Sequence, residues 1–401
     1  MAAAPSFPAA HARVPWYSHG TNQRIVVPQD PFRYSERLQN IRPSGIRKFF
    51  ELGLSMKNPI DLSIGQAHFD TPDVVKQAAQ KAIADGRNRY TVTQGIPDLR
   101  EKLKARYAAR FGDVSGEDVM VTCGVSGGLM LTFLAMLNPG DEVLIPDPYF
   151  IMYKHLATMV SATAVTYDTY PDFRPTAQRI RERITPRTRL IIVNSPSNPT
   201  GYAMTEADAR ELAALADSTG IPLISDEIYE DFMYGARHVS PREFTRSCIV
   251  LSGASKSLGM PGWRIGWMLS PRELSEKMYG LQQFSFVCAP APLQWGALAG
   301  IDLDFSQHRA DYLAKRDFVF EGIRGRYSCV RPGGSFYMFP EVPKGAKLDT
   351  FIEACIKREL LVVPGTACSD RASHFRLCFA ATDEKLRKAV TILNEIAAST
   401  A

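Results

Sequence analysis

The sequence lacks the features that announce several large classes of protein. No run of about 18 apolar residues occurs in its 401 positions, so nothing in it reads as a membrane-spanning helix. The seven cysteines are scattered, odd in number and without CxxC spacing, which argues for free thiols in a reducing compartment. The seven histidines form no HExxH or HxxxH pair, so no metal site is expected. No GxGxxG follows a strand-like run, which sets aside a nicotinamide-dependent dehydrogenase. Net charge is +5 with no concentrated basic run, so no nucleic-acid groove is expected, while small anionic ligands suit the mild excess. Acidic residues are missing from the first 29 positions, which carry several Pro and Ala with Arg13 and Arg24. That start lacks the apolar core of a secretory signal. It reads as a transit peptide or as an extension, 1–33, that is poorly ordered or drapes over a partner subunit; the second is preferred, with a cytoplasmic location.

What is present is an ordinary globular composition, 45% hydrophobic and 22% charged, on a chain long enough for two domains. The segment from Tyr34 to Gly53 reads as a short helix, a Pro-Ser-Gly break and another helix. Thr71-Pro72 offers an N-cap and a first-turn proline for a helix that Gly86 closes, and a second helix runs from Pro97 to about Phe111. Apolar runs of strand length then recur at Val119–Thr122, Glu142–Ile145, Thr163–Tyr167, Leu190–Val193, Pro222–Ser225, Ile249–Leu251 and Ile265–Leu269. Helical stretches separate most of them, the clearest being Thr205–Thr219 with Gly220 after it. About seven strands with helical connections predict an α/β fold, a mostly parallel sheet covered on both faces. Past Ser270 the alternation stops. Helices near Ser306–Ile323 and Asp383–Ala397, with strands at Val330–Phe339, Leu361–Pro364 and Phe375–Phe379, predict a smaller α+β domain. The expected division is 61–285 for the large domain, and 34–60 with 286–401 for the small one.

In such sheets ligands gather at the carboxyl ends of the strands. After Val119–Thr122 come Cys123-Gly-Val-Ser-Gly-Gly128 and a helical run, a Gly-rich helix start whose N–H groups suit an anion. Pro146-Asp-Pro-Tyr-Phe150 brings aromatic rings to the rim, and Asn194-Ser-Pro-Ser-Asn-Pro-Thr-Gly201 is a loop with two X-Pro bonds, either of which could be cis. Asp226-Glu-Ile-Tyr229 supplies a carboxylate and a phenol. Last comes Lys256, a lysine among serines and glycines between two buried runs, where desolvation favours the neutral, nucleophilic amine. Eight residues on, Arg264 is a planar cation suited to phosphate. Taken singly each has a bland reading: a capping Asp, a turn at NPTG, a solvated lysine in a surface turn. Together on one rim they point to a site.

With these motifs, Asn198-Pro-Thr-Gly201, Asp226-Glu-Ile-Tyr229 and Ser255-Lys-Ser with Arg264, the chain resembles the pyridoxal-phosphate-dependent class I/II aminotransferases of fold type I, from about Arg37 to Ile396. It looks most like the branch holding aspartate, aromatic and kynurenine-type enzymes. The resemblance implies that Lys256 joins the cofactor aldehyde as a Schiff base and that Asp226 pairs with the pyridinium nitrogen. It implies Tyr229 and Asn198 on the phenolic oxygen and Phe150 stacked on the ring. Gly124, Val125, Ser126, Ser255 and Arg264 would hold the phosphate, with Tyr90 reaching the phosphate of the neighbouring subunit in a homodimer. Arg376 would bind the substrate α-carboxylate, with Gly65 and Asn198 beside it in the substrate site.

The implied activity moves the α-amino group of an L-amino acid to a 2-oxo acid such as 2-oxoglutarate by a ping-pong route. The alternatives are a β-eliminating lyase of the same fold, which would release ammonia and pyruvate, and a regulator that binds the cofactor without turnover. Two positions depart from the family's pattern. Gly253 stands where a phosphate-binding serine is frequent, and Gly65-Gln-Ala-His-Phe69 replaces the common Gly-Gln-Pro-Asp-Phe, which makes His68 either a pocket residue or a loop residue without a role.

Overall fold

The structure is a computed structural model that describes residues 34–41 and 52–400. The expected extension 1–33, and the break and most of the second helix expected after Tyr34, lie outside the described residues. The first of those helices is a short turn, Glu36–Gln39.

Among the described residues, twelve strands and twelve helices after Glu36–Gln39 position the site. In chain order they are β1 (Ile60–Asp61), α1 (Asp73–Ala84), α2 (Pro97–Phe111), β2 (Glu117–Cys123), α3 (Gly124–Met136), β3 (Glu142–Asp147), α4 (Met152–Met159), β4 (Thr163–Asp168), α5 (Ala177–Arg181), β5 (Thr188–Asn194), α6 (Glu206–Thr219) and β6 (Leu223–Asp226). Then follow β7 (Cys248–Gly253), α7 (Ala254–Ser257), β8 (Ile265–Pro271), α8 (Arg272–Ser285), α9 (Ala291–Gly300), α10 (Ser306–Ile323), β9 (Tyr337–Met338), α11 (Leu348–Lys357), β10 (Leu360–Leu361), β11 (Val363–Pro364), β12 (Phe375–Cys378) and α12 (Asp383–Thr400).

All seven expected strands of the large sheet are present, in the order β2-β8-β7-β6-β5-β3-β4. β8 runs against both of its neighbours and the remaining pairs are parallel. Leu190–Val193 and Leu223–Ile224 are completely buried, as central strands covered on two faces require. Local sequence sets the helix ends. Thr205 and Asp208 form a reciprocal capping box at the start of α6, and Gly220 ends it in the left-handed conformation. The start of α1 differs from the expectation by one residue. Pro72 is its N-cap, because the Thr71 hydroxyl is spent on the Gly259 carbonyl at 2.9 Å.

One face of the sheet carries a core with Val75, Leu99, Leu103, Leu212 and Ala297, the other a core with Leu129, Phe133, Tyr153, Leu156 and Met278. A third core gathers β9 to β12 and α10 to α12 around Tyr312, Phe336, Phe351, Phe375 and Leu393. Each fully buried aliphatic or Phe side chain contributes about 1.5–3 kcal/mol. Ala289, Ala297 and Ile301 pack with the sheet, while Leu62 packs with the third core. We therefore propose that the boundary after the large domain lies near Ile301 rather than at 285. The strand expected over Val330–Phe339 shortens to β9. The N–H groups of Gly333 and Gly334 bond the Gly201 carbonyl, and the Gly333 carbonyl takes the Tyr234 N–H, so this backbone has no ladder to join.

Candidate active site

A cavity of about 240 Å³ opens at the carboxyl ends of β5, β6 and β7, with the third core as its far wall. Asp226, the last residue of β6, forms its floor and sits in register with Asn194, the last of β5. Asn194 ties the two strand ends together. Its amide donates to the Asp226 carbonyl at 2.8 Å, and its oxygen accepts from the Asn198 N–H at 2.8 Å. The Asp226 carboxylate accepts from the Tyr153 hydroxyl at 2.7 Å and from the Ile228 N–H at 3.3 Å. Burial pushes the carboxyl up to about 6, more than these donors pull it down. A cation in the cavity would reverse that shift.

Lys256 stands on the single turn α7 that follows β7. Its Nζ donates to the Gly65 carbonyl at 2.6 Å and lies 5.6 Å from the centre of the Tyr229 ring. Burial lowers its pKa to about 8, so a substantial fraction of the amine is unprotonated in mildly alkaline solution.

The anion end is built from backbone. Gly124 has φ +72° and turns β2 into α3, whose first N–H groups, those of Val125 and Ser126 among them, have no carbonyl within the helix to bond. A Cβ on Gly266 would lie 2.4 Å from the Gly124 carbonyl carbon and 2.6 Å from the Val125 nitrogen, so these chains meet at a separation that only glycine permits. Arg264, itself at φ +60°, donates to the Cys123 carbonyl at 3.2 Å and to the Ser126 hydroxyl at 3.4 Å. Ser255 completes this end of the lining. The glycine at position 253 has a steric reason: a Cβ there would meet Gly266 Cα at 2.9 Å and the Ile265 carbonyl at 3.0 Å.

At the opposite end Arg376 comes from β12 and is 3% exposed. It donates to Asn198 Oδ1 at 3.1 Å and to the Ser63 carbonyl at 2.7 Å, while its Nε has no hydrogen-bond partner among the described residues. A buried donor without an acceptor is costly unless a ligand supplies one, and a carboxylate is the acceptor a guanidinium fits best. Phe150 lines the cavity and meets Tyr153 edge-on, ring centres 5.6 Å apart.

The structure thus brings Gly65, Val125, Ser126, Phe150, Asn198, Asp226, Tyr229, Ser255, Lys256, Arg264 and Arg376 onto one cavity, with Gly124 in the turn behind it. Tyr90 is not brought in; it is 82% exposed and borders a separate open pocket with Arg87, Arg89 and Trp295. His68 also stays outside, its Nδ1 2.9 Å from the Tyr312 hydroxyl and its Nε2 3.4 Å from Asp311. Both X-Pro bonds of the 194–201 loop are cis, as are Asp147–Pro148 and Tyr170–Pro171.

Sequence reasoning missed three residues. Asn194 was named within its loop but given no function, although the strand-end rule covers it. Tyr153 follows Phe150 by three residues, in the first turn of α4, where its N–H bonds the Phe150 carbonyl at 3.0 Å. Tyr337 stands in an aromatic run without a motif. The group set fits pyridoxal phosphate: an amine for the aldehyde, a carboxylate of raised pKa for the pyridinium, and an anion cradle for the phosphate.

Residues 57–393 match the family described as aminotransferase class I and II. The chain is 35% identical to a probable aspartate aminotransferase of Methanocaldococcus jannaschii, over 90% of this chain and 99% of that one. It is 34% identical to an aspartate/prephenate aminotransferase of Thermus thermophilus, over 89% and 96%. Among solved structures, a Thermus thermophilus aspartate aminotransferase with maleate superposes with a TM-score of 0.87 at 32% identity, covering 91% of this chain and all of that one. Sheet order, cavity chemistry and near full-length likeness agree: the chain belongs to the class I and II aminotransferases, pyridoxal-phosphate-dependent enzymes of fold type I.

Proposed function

We propose that this aminotransferase takes the α-amino group of an L-amino acid and passes it to a 2-oxo acid, with 2-oxoglutarate as acceptor, in two half-reactions at one site. The observation that carries this reading is that Lys256, Asp226 and Arg376 converge on one cavity with one guanidinium at its carboxylate end. Donor and acceptor each bring an α-carboxylate, so they must occupy that end in turn. That is a ping-pong order. The relatives named for aspartate support an acidic amino donor.

Bound pyridoxal phosphate supplies an aldehyde for amines and a ring that accepts the electron pair left when a Cα proton departs. The chain's residues do the rest. Asp226 would face the ring nitrogen and hold its proton there. Tyr229 and Asn198 would donate to the phenolic oxygen, and Phe150 would cover one ring face. Val125, Ser126, Ser255 and Arg264, with the Gly124 turn, would grip the phosphate. Arg376 would orient the substrate carboxylate, which leaves the Lys256 amine to move the proton at Cα.

We further propose a homodimer. Tyr90, Val92 and Phe284 are exposed at 82%, 55% and 89%, and the bond from Gln282 on α8 to the Thr93 carbonyl holds their two segments side by side. Such a surface suits a second copy of the chain. The seven free thiols support a cytoplasmic location.

The test is a half-reaction. An amino acid alone should convert the bound cofactor stoichiometrically, 2-oxoglutarate alone should restore it, and initial-rate plots should be parallel. Borohydride should fix the cofactor on the peptide containing Lys256. Intersecting plots, or label on another lysine, would overturn the reading; pyruvate and ammonia as products would point to elimination instead.

A further inference from the structure

Tyr337 lies on β9 in the wall that the third core turns toward the cavity, and it is 1% exposed. Its hydroxyl is 3.1 Å from the hydroxyl of Tyr229, which follows β6 and packs in the same third core. Its ring lies beneath Arg376, 4.8 Å from the guanidinium carbon to the ring centre. The same hydroxyl rests on Gly65 so closely that a Cβ there would come within 2.0 Å of it. One side chain therefore touches the phenol proposed for the cofactor's oxygen, the guanidinium proposed for the carboxylate, and the residue whose carbonyl accepts from Lys256.

Burial holds both phenols above their usual pKa, so each keeps its single proton. The hydrogen-bond partner of the Tyr337 hydroxyl is Tyr229. If Tyr229 donated to Tyr337, Tyr229 would have no proton left for the cofactor's phenolic oxygen. If Tyr337 donates to Tyr229, the Tyr229 proton is free to point into the cavity, and a phenol that accepts one hydrogen bond donates a stronger one. We propose that Tyr337 is a positioning residue for the aminotransferase reaction: its hydroxyl donates to Tyr229, strengthening that phenol as a donor to the cofactor's phenolic oxygen, while its ring face holds Arg376 in line for the carboxylate. This rests on the reading of the cavity as the pyridoxal-phosphate site.

The two halves separate by substitution. Tyr337→Phe removes one oxygen and keeps the ring. Weaker donation to the phenolic oxygen leaves the lysine-bound nitrogen protonated to higher pH, so the absorbance midpoint of the bound cofactor should rise by about half a pH unit or more. Tyr229→Phe should raise it further, and adding Tyr337→Phe to Tyr229→Phe should then change nothing, because the path through Tyr229 is already cut. Maleate, titrated as a dicarboxylate probe, should bind Tyr337→Phe within about twofold of wild type but Tyr337→Leu about tenfold more weakly, since only the leucine removes the ring under the cation. An unchanged midpoint in Tyr337→Phe, or a shift that persists in the Tyr229→Phe background, overturns the hydroxyl half. Maleate affinity in Tyr337→Leu equal to wild type overturns the ring half. Absence of a cofactor absorbance band in the wild-type holoenzyme would instead sink the reading of the cavity.

Discussion

The Tyr153 hydroxyl donates to Asp226 Oδ2 at 2.7 Å inside the core, so the carboxylate at the floor of the cavity is held from behind by a helix of the other layer. Even so, burial pushes Asp226 up to about 6, from 3.8 for a free side chain. The folded chain therefore binds a proton at Asp226 that the unfolded chain has already released. Without cofactor, stability should fall as pH rises from about 4 to 6, by about 2–3 kcal/mol, and stay low above that. Asp226→Asn should remove this dependence, which thermal melts of the cofactor-free chain at pH 4.5 and 7 would measure. In the holoenzyme the same substitution should slow Cα deprotonation a hundredfold or more, because a neutral amide cannot hold the pyridinium proton. Single-turnover rates near wild type would contradict that role.

Arg376 is the second test. Arg376→Ala should lower kcat/KM for amino acids and oxo acids alike by about two orders of magnitude, equivalent to roughly 3 kcal/mol. Cofactor affinity should change far less, since Arg376 bonds Ser63 and would reach the cofactor only through Asn198. Amines without a carboxylate should react equally well with variant and wild type. Equal losses for those amines would assign the arginine another job.

Gly266 gives a test by addition. Its Cα passes so near the Gly124–Val125 peptide that Gly266→Ala must force β8 and the start of α3 apart. Overpacking of this kind costs about 1–3 kcal/mol. The cost should appear as a five- to hundredfold weaker cofactor affinity by equilibrium dialysis. Gly262→Ala, where nothing among the described residues lies within 4 Å of an added Cβ, is the control and should bind as wild type does.

Tyr90 tests the shared site. Tyr90→Phe should weaken cofactor binding by roughly 1.5–3 kcal/mol if its hydroxyl reaches a phosphate. Lys256→Ala should abolish turnover. Unfolding and refolding the two variants together gives mixed dimers, in which one site has both groups intact. Activity at limiting cofactor should reappear in the mixture. A mixture no more active than its parts, or a monomer in solution, would end the idea.

Much of this was legible because one rule, residues just past each strand, samples one rim of a parallel sheet. Gly124 to Ser126, Phe150, Asn198, Asp226, Tyr229 and Lys256 all surfaced that way. Tyr153 escaped because it sits a helical turn beyond its strand. Tyr337 escaped because its segment bonds to a neighbouring loop before forming two residues of strand. Helix α9 was unread for a different reason: APLQWGALAG is nearly all apolar or small and buries Ala291, Gln294, Gly296, Ala297 and Gly300, which leaves no polar face to mark a period. Tyr90 and Arg376 rested on resemblance alone; of the two, Arg376 lies in the cavity of a single chain.

The reversed direction of β8 has a mechanical result. A parallel strand would have sent the chain away through a long crossover after Lys256. Because β8 returns at once, Lys256 and Arg264 hang from one short arch clamped at both feet by Gly253 facing Gly266. The distance between the grip proposed for the aldehyde and the grip proposed for the phosphate is thus a ruler whose ends the sheet holds fixed. One residue inserted into the arch would leave the strands paired and the ruler wrong.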